Sequence, residues 1–410
     1  MRARPLRPSS LELNVQLPPL FLKRREERRI RAGHPWVFSN EVDVERSPLS
    51  AFEPGTQVNV ASHVGQPLGT AYVNPATLIC ARLVSRQANR PLDESLLLAR
   101  LGRALALRER MGVGPYYRLV YGESDGLPGL VVDRFGDTLA VQITTAGMQK
   151  LFEPLLAALE KTVNPAQIVL RNDSAGRRLE GLDESVHWVR GDADSAVEIV
   201  ENGARFSIWP GHGQKTGWFY DHRFNRARVA AWSKGARVLD LCSYRGAFGV
   251  QAALAGAAHV LCVDSSQEAL DGASEAAVMN GCGDRVACER GDVFDVLRSL
   301  HDGGERFDLV IADPPAFARR KRDLKSAQEA YRRLNRLAMR VLTDDGLLFS
   351  ASCSSHLDAQ GLKDALRHAA SGAQRQIVLL ETGHQGPDHP VHPAMSESAY
   401  LKAFLARVSS

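Results

Sequence analysis

Phe307-Asp308-Leu309-Val310-Ile311-Ala312-Asp313-Pro314-Pro315-Ala316-Phe317 is an apolar run that ends in one acid and two prolines. Strands covered on both faces appear in sequence as continuous apolar runs, the pattern of a parallel sheet. In open α/β sheets the ligand crevice lies outside the carboxyl ends of such strands, so Asp313 is expected on its rim. The prolines fix their own φ and bias the residue before each toward extended backbone. The loop therefore cannot fold directly into the next helix. An ordinary strand-ending turn is the plain alternative.

Upstream, Val238-Leu239-Asp240-Leu241-Cys242-Ser243-Tyr244-Arg245-Gly246-Ala247-Phe248-Gly249 is a buried strand, a tight loop and the start of an alanine-rich helix. Small residues there let a ligand approach the backbone N–H groups of the helix start. Only Gly246 and Gly249 match the dinucleotide fingerprint, so the loop alone does not decide the cofactor. The next strand, His259 to Val263, ends in Asp264, at the separation expected of an acid that grips ribose hydroxyls. This fits NAD and S-adenosylmethionine equally. The strand Arg285 to Glu289 is followed by Gly291 and Asp292, and the next delivers Asp313. Three successive strands thus end in acids, the series a methyltransferase needs: Asp264 for ribose, Asp292 for the adenine amino group, Asp313 near the methyl group and its acceptor. An NAD enzyme has no comparable use for the third, and a second Rossmann half is not visible.

The strand Gly346 to Ser352 carries Cys353 at its end, on the same rim as Asp313. Cytosine C5 is too weak a nucleophile to take a methyl group unaided; a thiolate added at C6 makes it enamine-like. Asp313 would hydrogen-bond the N3 and amino edge of the base and support protonation at N3. The thiol must be lowered in pKa by a cation or a helix start, and Ser354 to Asp358 is expected to begin the next helix. A buried structural cysteine is the alternative.

These residues resemble the bacterial large-subunit ribosomal RNA cytosine-C5 methyltransferases that carry an N-terminal PUA domain. The likeness runs from about Leu20 through nearly the whole chain. It rests on Asp313-Pro314-Pro315 with Phe317 and Lys321, on Tyr331 with Asn335, on Ser352-Cys353-Ser354, and on Lys215-Thr216-Gly217-Trp218-Phe219-Tyr220-Asp221-His222-Arg223. The resemblance implies Cys353 and Asp313 as catalytic residues. It also implies that Thr216, Asp221, Arg223, Ser243, Gly246, Asp264 and Asp292 hold S-adenosylmethionine, the Thr216 to Arg223 segment taking its methionine end. Ala316 stands where many cytosine-C5 enzymes outside the family have a second cysteine, so release of the adduct must use another group.

Composition agrees with a globular enzyme without choosing among enzymes. With 410 residues the chain suggests two or three domains, and 44% hydrophobic and 24% charged residues allow a sizeable core. Six cysteines form no C-x-x-C pair or zinc spacing, which points to a reduced compartment. No signal peptide and no membrane span is visible, so a cytoplasmic location without a membrane partner is expected. Net charge is only +4, yet the basic residues cluster. One group includes Arg24 and Arg25; the other is Arg319, Arg320 and Lys321, just beyond the Asp313 loop. With Phe317 these are the candidate RNA-binding residues, since arginine contacts phosphate bidentately and stacks on exposed bases. A solvated helical face is the alternative for both groups.

The expected fold class is α/β: a Rossmann-like class I methyltransferase domain (residues 193–410), a small α+β central domain (88–192) and an N-terminal PUA β-barrel (20–87), after an extended or disordered tail (1–19). The barrel is assigned by the resemblance; the alternating strands Gln57 to Val60, Pro67 to Asn74 and Leu78 to Val84 alone indicate a small β-rich domain. In the central domain an amphipathic helix near Pro91 to Met111 presents Leu97, Leu101, Leu105 and Leu107. Strands follow at Arg118 to Tyr121, Gly129 to Val132 and Thr138 to Thr144, then a helix from Gln149 to Thr162 and a strand from Gln167 to Arg171. Gly122 to Gly129 is read as a hairpin loop and Asp133 to Asp137 as a turn. His384, Asp388, His389 and His392 could suggest a metal, but prolines make the segment irregular. No metal is assigned, and a loop over the base pocket is expected. The predicted activity is methylation of cytosine C5 in ribosomal RNA. The rivals are a guanine-nitrogen methyltransferase, which needs no thiol, and a non-catalytic ribosome-assembly RNA-binding protein. Oligomeric state is left open, a homodimer included.

Overall fold

The structure is a computed structural model that describes residues 16–191, 196–213, 216–318 and 320–410. Its N-terminal unit is a five-stranded sheet in the order β1-β3-β4-β5-β2, formed by β1 (Pro19–Phe21), β2 (Trp36–Val37), β3 (Thr56–Ala61), β4 (Pro67–Val73) and β5 (Ala81–Ser85). The short basic helix α1 (Glu27–Arg31) contributes Ile30 to its core. The chain already joins this sheet at Pro19, inside the expected tail; residues 1–15 lie outside the described residues. Proline is tolerated as the first residue of an edge strand, which hid β1 in the sequence.

The central unit opens with α2 (Glu94–Glu109), whose Asp93 accepts from the Leu96 N–H as its N-cap. Leu97 and Leu101 are buried on it, but Leu107 is 43% exposed, one position off the apolar stripe. The sheet that follows has the order β10-β9-β8-β7-β6, from β6 (Tyr116–Tyr121), β7 (Leu130–Phe135), β8 (Thr138–Ile143), β9 (Gln167–Asn172) and β10 (Ser185–Arg190). Helices α3 (Ala146–Gln149) and α4 (Phe152–Val163) lie between β8 and β9, and α5 (Gly176–Leu179) precedes β10. The expected Asp133 turn is overturned: Asp133 to Phe135 belong to β7, and Asp133 is fully buried. A buried carboxylate is stable there because Arg118 on β6 grips it at 2.7 and 2.9 Å. Sequence alone cannot show such a partner, and the acid therefore looked like turn chemistry.

After the hairpin β11 (Val197–Glu201) and β12 (Ala204–Ile208) comes α6 (Arg223–Ala231) and then the largest sheet. Its strands are β13 (Arg237–Leu241), β14 (His259–Asp264), β15 (Val286–Arg290), β16 (Phe307–Ala312), β17 (Leu342–Ser352), β18 (Gln376–His384) and β19 (Lys402–Ser409), in the order β15-β14-β13-β16-β17-β19-β18. The first five in that order are parallel, while β19 runs antiparallel between β17 and β18. Successive residues of β13 and β16 alternate between two cores, so the sheet is covered on both faces. Helices α6, α7 (Ala247–Leu254) and α8 (Gln267–Met279) cover one face; α9 (Val293–Asp302), α10 (Leu324–Arg340) and α11 (Ala359–Gly372) cover the other. Among the described residues no helix is long and apolar enough to cross a membrane.

Candidate active site

Strand register places the chemistry. Leu241 pairs with Val263 on one side and Ala312 on the other, so the next residues, Cys242, Asp264 and Asp313, form a row along the carboxyl rim. Ala312 pairs with Ser350, which leaves β17 two residues longer than its neighbour and carries Cys353 just past the rim. Asp264 pairs with Arg290, and Asp292 follows two positions on. Above this rim lies a cavity of about 490 Å³ bordered by Asp264, Asp292, Asp313, Cys242, Ser243 and Cys353, with Trp218, Phe219, Phe294 and Phe317 as aromatic walls. Cys353 and Asp313 thus border one space.

The loops that carry them are stitched together. The Ala318 N–H donates to Ser354 Oγ at 3.3 Å, joining the Asp313 loop to the Cys353 loop. Tyr331 on α10 is fully buried, accepts from Ser352 Oγ at 2.8 Å, and lies 3.2 Å from Ser354 Oγ. Its ring packs edge-on against Phe317 at 4.8 Å, which fixes one wall of the cavity. The expected helix start beside Cys353 is corrected: α11 begins at Ala359, capped by Asp358, several residues later. A cation is there instead. Lys402, paired with Ser352 across β17 and β19, donates from Nζ to the carbonyls of Ser354 at 2.5 Å and Tyr400 at 2.7 Å. Burial pushes its pKa down to about 8, while the charge of Cys353 pulls the other way. Cys242, the other thiol on the cavity, is held well above its ordinary pKa by burial and then by Asp313 and Asp264.

Of the residues expected to hold the cofactor, Asp221, Ser243, Asp264 and Asp292 border the cavity. Asp264 accepts from the Tyr244 and Ser266 N–H groups at 2.8 and 3.0 Å, which orients its carboxylate at the strand end. Asp292 caps α9 by accepting from Phe294 N–H at 2.9 Å. Asp221 receives the Tyr400 hydroxyl, whose own pKa is raised by burial. Thr216, Arg223 and Gly246 do not line the cavity in this structure. Thr216 is fully buried and bonded to Asp133 of the central sheet. Arg223 is buried against Glu201, 3.6 Å away, and the Tyr116 carbonyl. Gly246 takes a left-handed φ of 67° before α7, and a Cβ there would meet the Ala273 Cβ at 2.8 Å. All three hold the walls in place from behind.

His222 and Arg226 were missed. His222 is 4% exposed and its Nε2 lies 3.3 Å from Asp313 Oδ1. Arg226 is buried with Nη1 2.7 Å from Glu201, and borders the cavity with a buried Nε that has no partner among the described residues. Their spacing of four residues, from the turn before α6 into the helix, was the available signal, because such positions share a helix face. The segment from His384 to His392 does not cover the cavity. Asp388 accepts from Arg118 N–H at 3.1 Å and pairs with His389 at 2.9 Å, so the loop is drawn to the central sheet instead. Of the RNA candidates, Phe317 borders the cavity, Arg320 is exposed beyond it, and Arg24 and Arg25 are exposed before α1 in the N-terminal unit. Arg319 lies outside the described residues, as does the Lys321 side chain.

The profile of the S-adenosylmethionine-dependent methyltransferases matches residues 155–407, and that of the PUA-like domain residues 20–86. A protein named ribosomal RNA large subunit methyltransferase I from Erwinia tasmaniensis is 36% identical over 394 residues, covering 95% of this chain and 99% of its own. The chain belongs to that methyltransferase family. A relative of the same name from Vibrio cholerae is 37% identical over 400 residues, with 95% and 99% of the two chains covered. The crystal structure of SMU.776, provisionally a methyltransferase, complexed with SAH superposes with a TM-score of 0.82 at 21% identity, covering 95% of this chain and 100% of that one. The fold is thus a class I methyltransferase with a PUA-like domain, and the chain is an S-adenosylmethionine-dependent enzyme. The cavity fits this cofactor. Asp264 at the end of β14 and Asp292 two residues past β15 present carboxylates that hydroxyl or amino groups could meet, Phe294 offers an apolar wall, and the orphaned Arg226 Nε could meet a carboxylate.

Proposed function

We propose that this methyltransferase converts a cytosine of large-subunit ribosomal RNA to 5-methylcytosine through a covalent adduct on Cys353. The observation that carries the reading is the shared cavity: a thiol beside an ammonium group faces the same space as a carboxylate on a double-proline loop. S-adenosylmethionine, when bound, supplies an electrophilic methyl group. Cys353 as thiolate adds to C6 of the base, which moves electron density to C5 and N3. Asp313 bonds the N3 and amino edge and supports protonation at N3. C5 then takes the methyl group, water takes its proton, N3 gives up the proton it gained, and the sulfur–C6 bond breaks to regenerate the thiolate. Asp221, Ser243, Asp264 and Asp292 hold the cofactor. Phe317 and the basic residues Arg319, Arg320, Lys321, Arg24 and Arg25 contact the RNA. With ribosomal RNA as its substrate, the protein works in the cytoplasm.

Nucleoside mass spectrometry of ribosomal RNA from cells lacking the protein should show one 5-methylcytidine lost, restored by the wild type and not by Cys353→Ala. RNA carrying 5-fluorocytidine should trap the protein covalently through residue 353, because fluorine cannot leave as the proton does. Turnover undiminished in Cys353→Ala would exclude the covalent route and favour methylation of a ring nitrogen.

A further inference from the structure

His222 stands where it can decide which way the Asp313 carboxylate faces. It occupies the turn before α6, almost sealed from solvent, with its ring edge-on to Phe248 at 5.5 Å and Phe349 at 6.3 Å. Those rings leave two polar outlets for the imidazole. Nε2 points to Asp313 Oδ1 at 3.3 Å, and Nδ1 lies 3.1 Å from Asn225 Nδ2. The orientation of the Asn225 amide is settled by a third group, the backbone carbonyl of His384, 3.2 Å from the same Nδ2. Turned the other way, Asn225 would present its oxygen to that carbonyl oxygen, and two acceptors would face each other. An amide nitrogen can only donate. Nδ1 must therefore be the acceptor, and the ring proton sits on Nε2, facing Asp313.

We infer that His222, locked as its Nε2–H tautomer by Asn225, is a positioning residue that anchors one oxygen of Asp313 and leaves the other for the base. Among the described residues His222 is the only group within polar reach of that carboxylate, and Asp313 borders the cavity. The inference rests on the covalent cytosine reading for what the carboxylate does, but the tautomer stands independently of it. The 3.3 Å separation closes to a full hydrogen bond when the base is bound, as catalytic contacts in ligand-free sites commonly do. The device links β18, through the His384 carbonyl, to the Asp313 loop at the end of β16 by way of α6.

The test has two arms on the full-length protein. Long-range proton–nitrogen NMR of histidine-labelled protein at neutral pH should show His222 protonated at Nε2 and bare at Nδ1; the opposite tautomer would overturn the inference. In steady-state methylation assays, His222→Ala should lower kcat about 100-fold, the usual effect of a misplaced catalytic group. KM for RNA and the calorimetric affinity for S-adenosylmethionine should hold within about threefold. His222→Gln, which keeps an N–H donor, should recover at least about tenfold of the loss. An unchanged kcat in His222→Ala, or a loss confined to KM, would sink the positioning role. If instead Cys353→Ala remains active while the tautomer is as stated, it is the cytosine reading that fails.

Discussion

Cys242 and Cys353 border the same cavity, but their surroundings treat them differently. Cys242 faces Asp313 and Asp264, whose charges oppose a thiolate, and burial adds to the effect. Cys353 has the Lys402 ammonium bonded to the carbonyl of the following residue. The sign follows from Coulomb's law: a cation stabilises the thiolate and lowers the pH at which it forms. Lys402→Met should therefore raise the pKa of Cys353 by about one unit, and Lys402→Arg should leave it near the wild-type value. Alkylation by iodoacetamide across pH, resolved peptide by peptide, measures this directly. A hydrogen bond from Cys262 pulls the Cys288 thiol down to about 6, so its peptide should be alkylated at lower pH than that of Cys242. No movement in Lys402→Met would reduce the lysine to a clasp on its loop. The proton of Lys402 is itself lost from about pH 8, so the support it lends the thiolate should fade above that pH.

At the scale of elements, the loop from β13 to α7 shows what a departure from a glycine-rich sequence costs. Cys242 and Tyr244 both take left-handed φ, at 57° and 49°, conformations that glycine adopts freely and other residues do not. Gly246 keeps the one position where a side chain has no room, against Ala273 of α8. Gly246→Ala should cost about 1–3 kcal/mol, from the positive φ and the crowding together. Thermal unfolding checks the stability, and titration with S-adenosylmethionine should show weaker binding because the same loop carries Ser243. An unchanged midpoint would mean that α8 can retreat. The parallel strands and their terminal acids were legible in the sequence because apolar runs of strand length and rim carboxylates need no knowledge of partners. The start of α11 was not, since the turn after Cys353 contains no breaker and Asp358 marks the helix only by its bond to the Gly361 N–H.

Across the whole molecule, the central unit is tied to the catalytic one by buried polar groups as well as by a shared apolar core in which Phe135 stacks on Tyr220. Asp133 holds Arg118 and Thr216, and Asp388 from the far end of the chain reaches the Arg118 backbone. Arg108, fully buried, pairs with Asp125 at 2.6 Å and also donates to the Asp388 carbonyl. Asp133→Ala would leave the Arg118 guanidinium largely buried without its counter-charge and should destabilise the protein by about 3–5 kcal/mol. It should also weaken S-adenosylmethionine binding, because Thr216 leads directly into Trp218 and Phe219 of the cavity wall. Asp133→Asn, which keeps the shape, should lose less on both counts. Denaturant unfolding with calorimetric titration checks the pair; a stability loss without a change in affinity would show that the junction does not govern the cavity.

Strand-ending acids, the double-proline loop and the thiol at the end of β17 follow from sequence alone, because the alternation of strand and helix and the register of a parallel sheet put such residues on one rim. Tertiary structure alone decided which side chains reach the cavity and which stand behind it. Thr216 and Arg223 share a motif with Asp221, yet the buried Asp133 carboxylate captures the first and the Tyr116 carbonyl, with Glu201, the second. His222 faces Asp313 because a carbonyl far along the chain turns the amide beside it. Each of these outcomes depends on a partner more than eighty residues away or on a packed helix face, and an ion pair or hydrogen bond between distant segments leaves no periodicity in the chain that forms it.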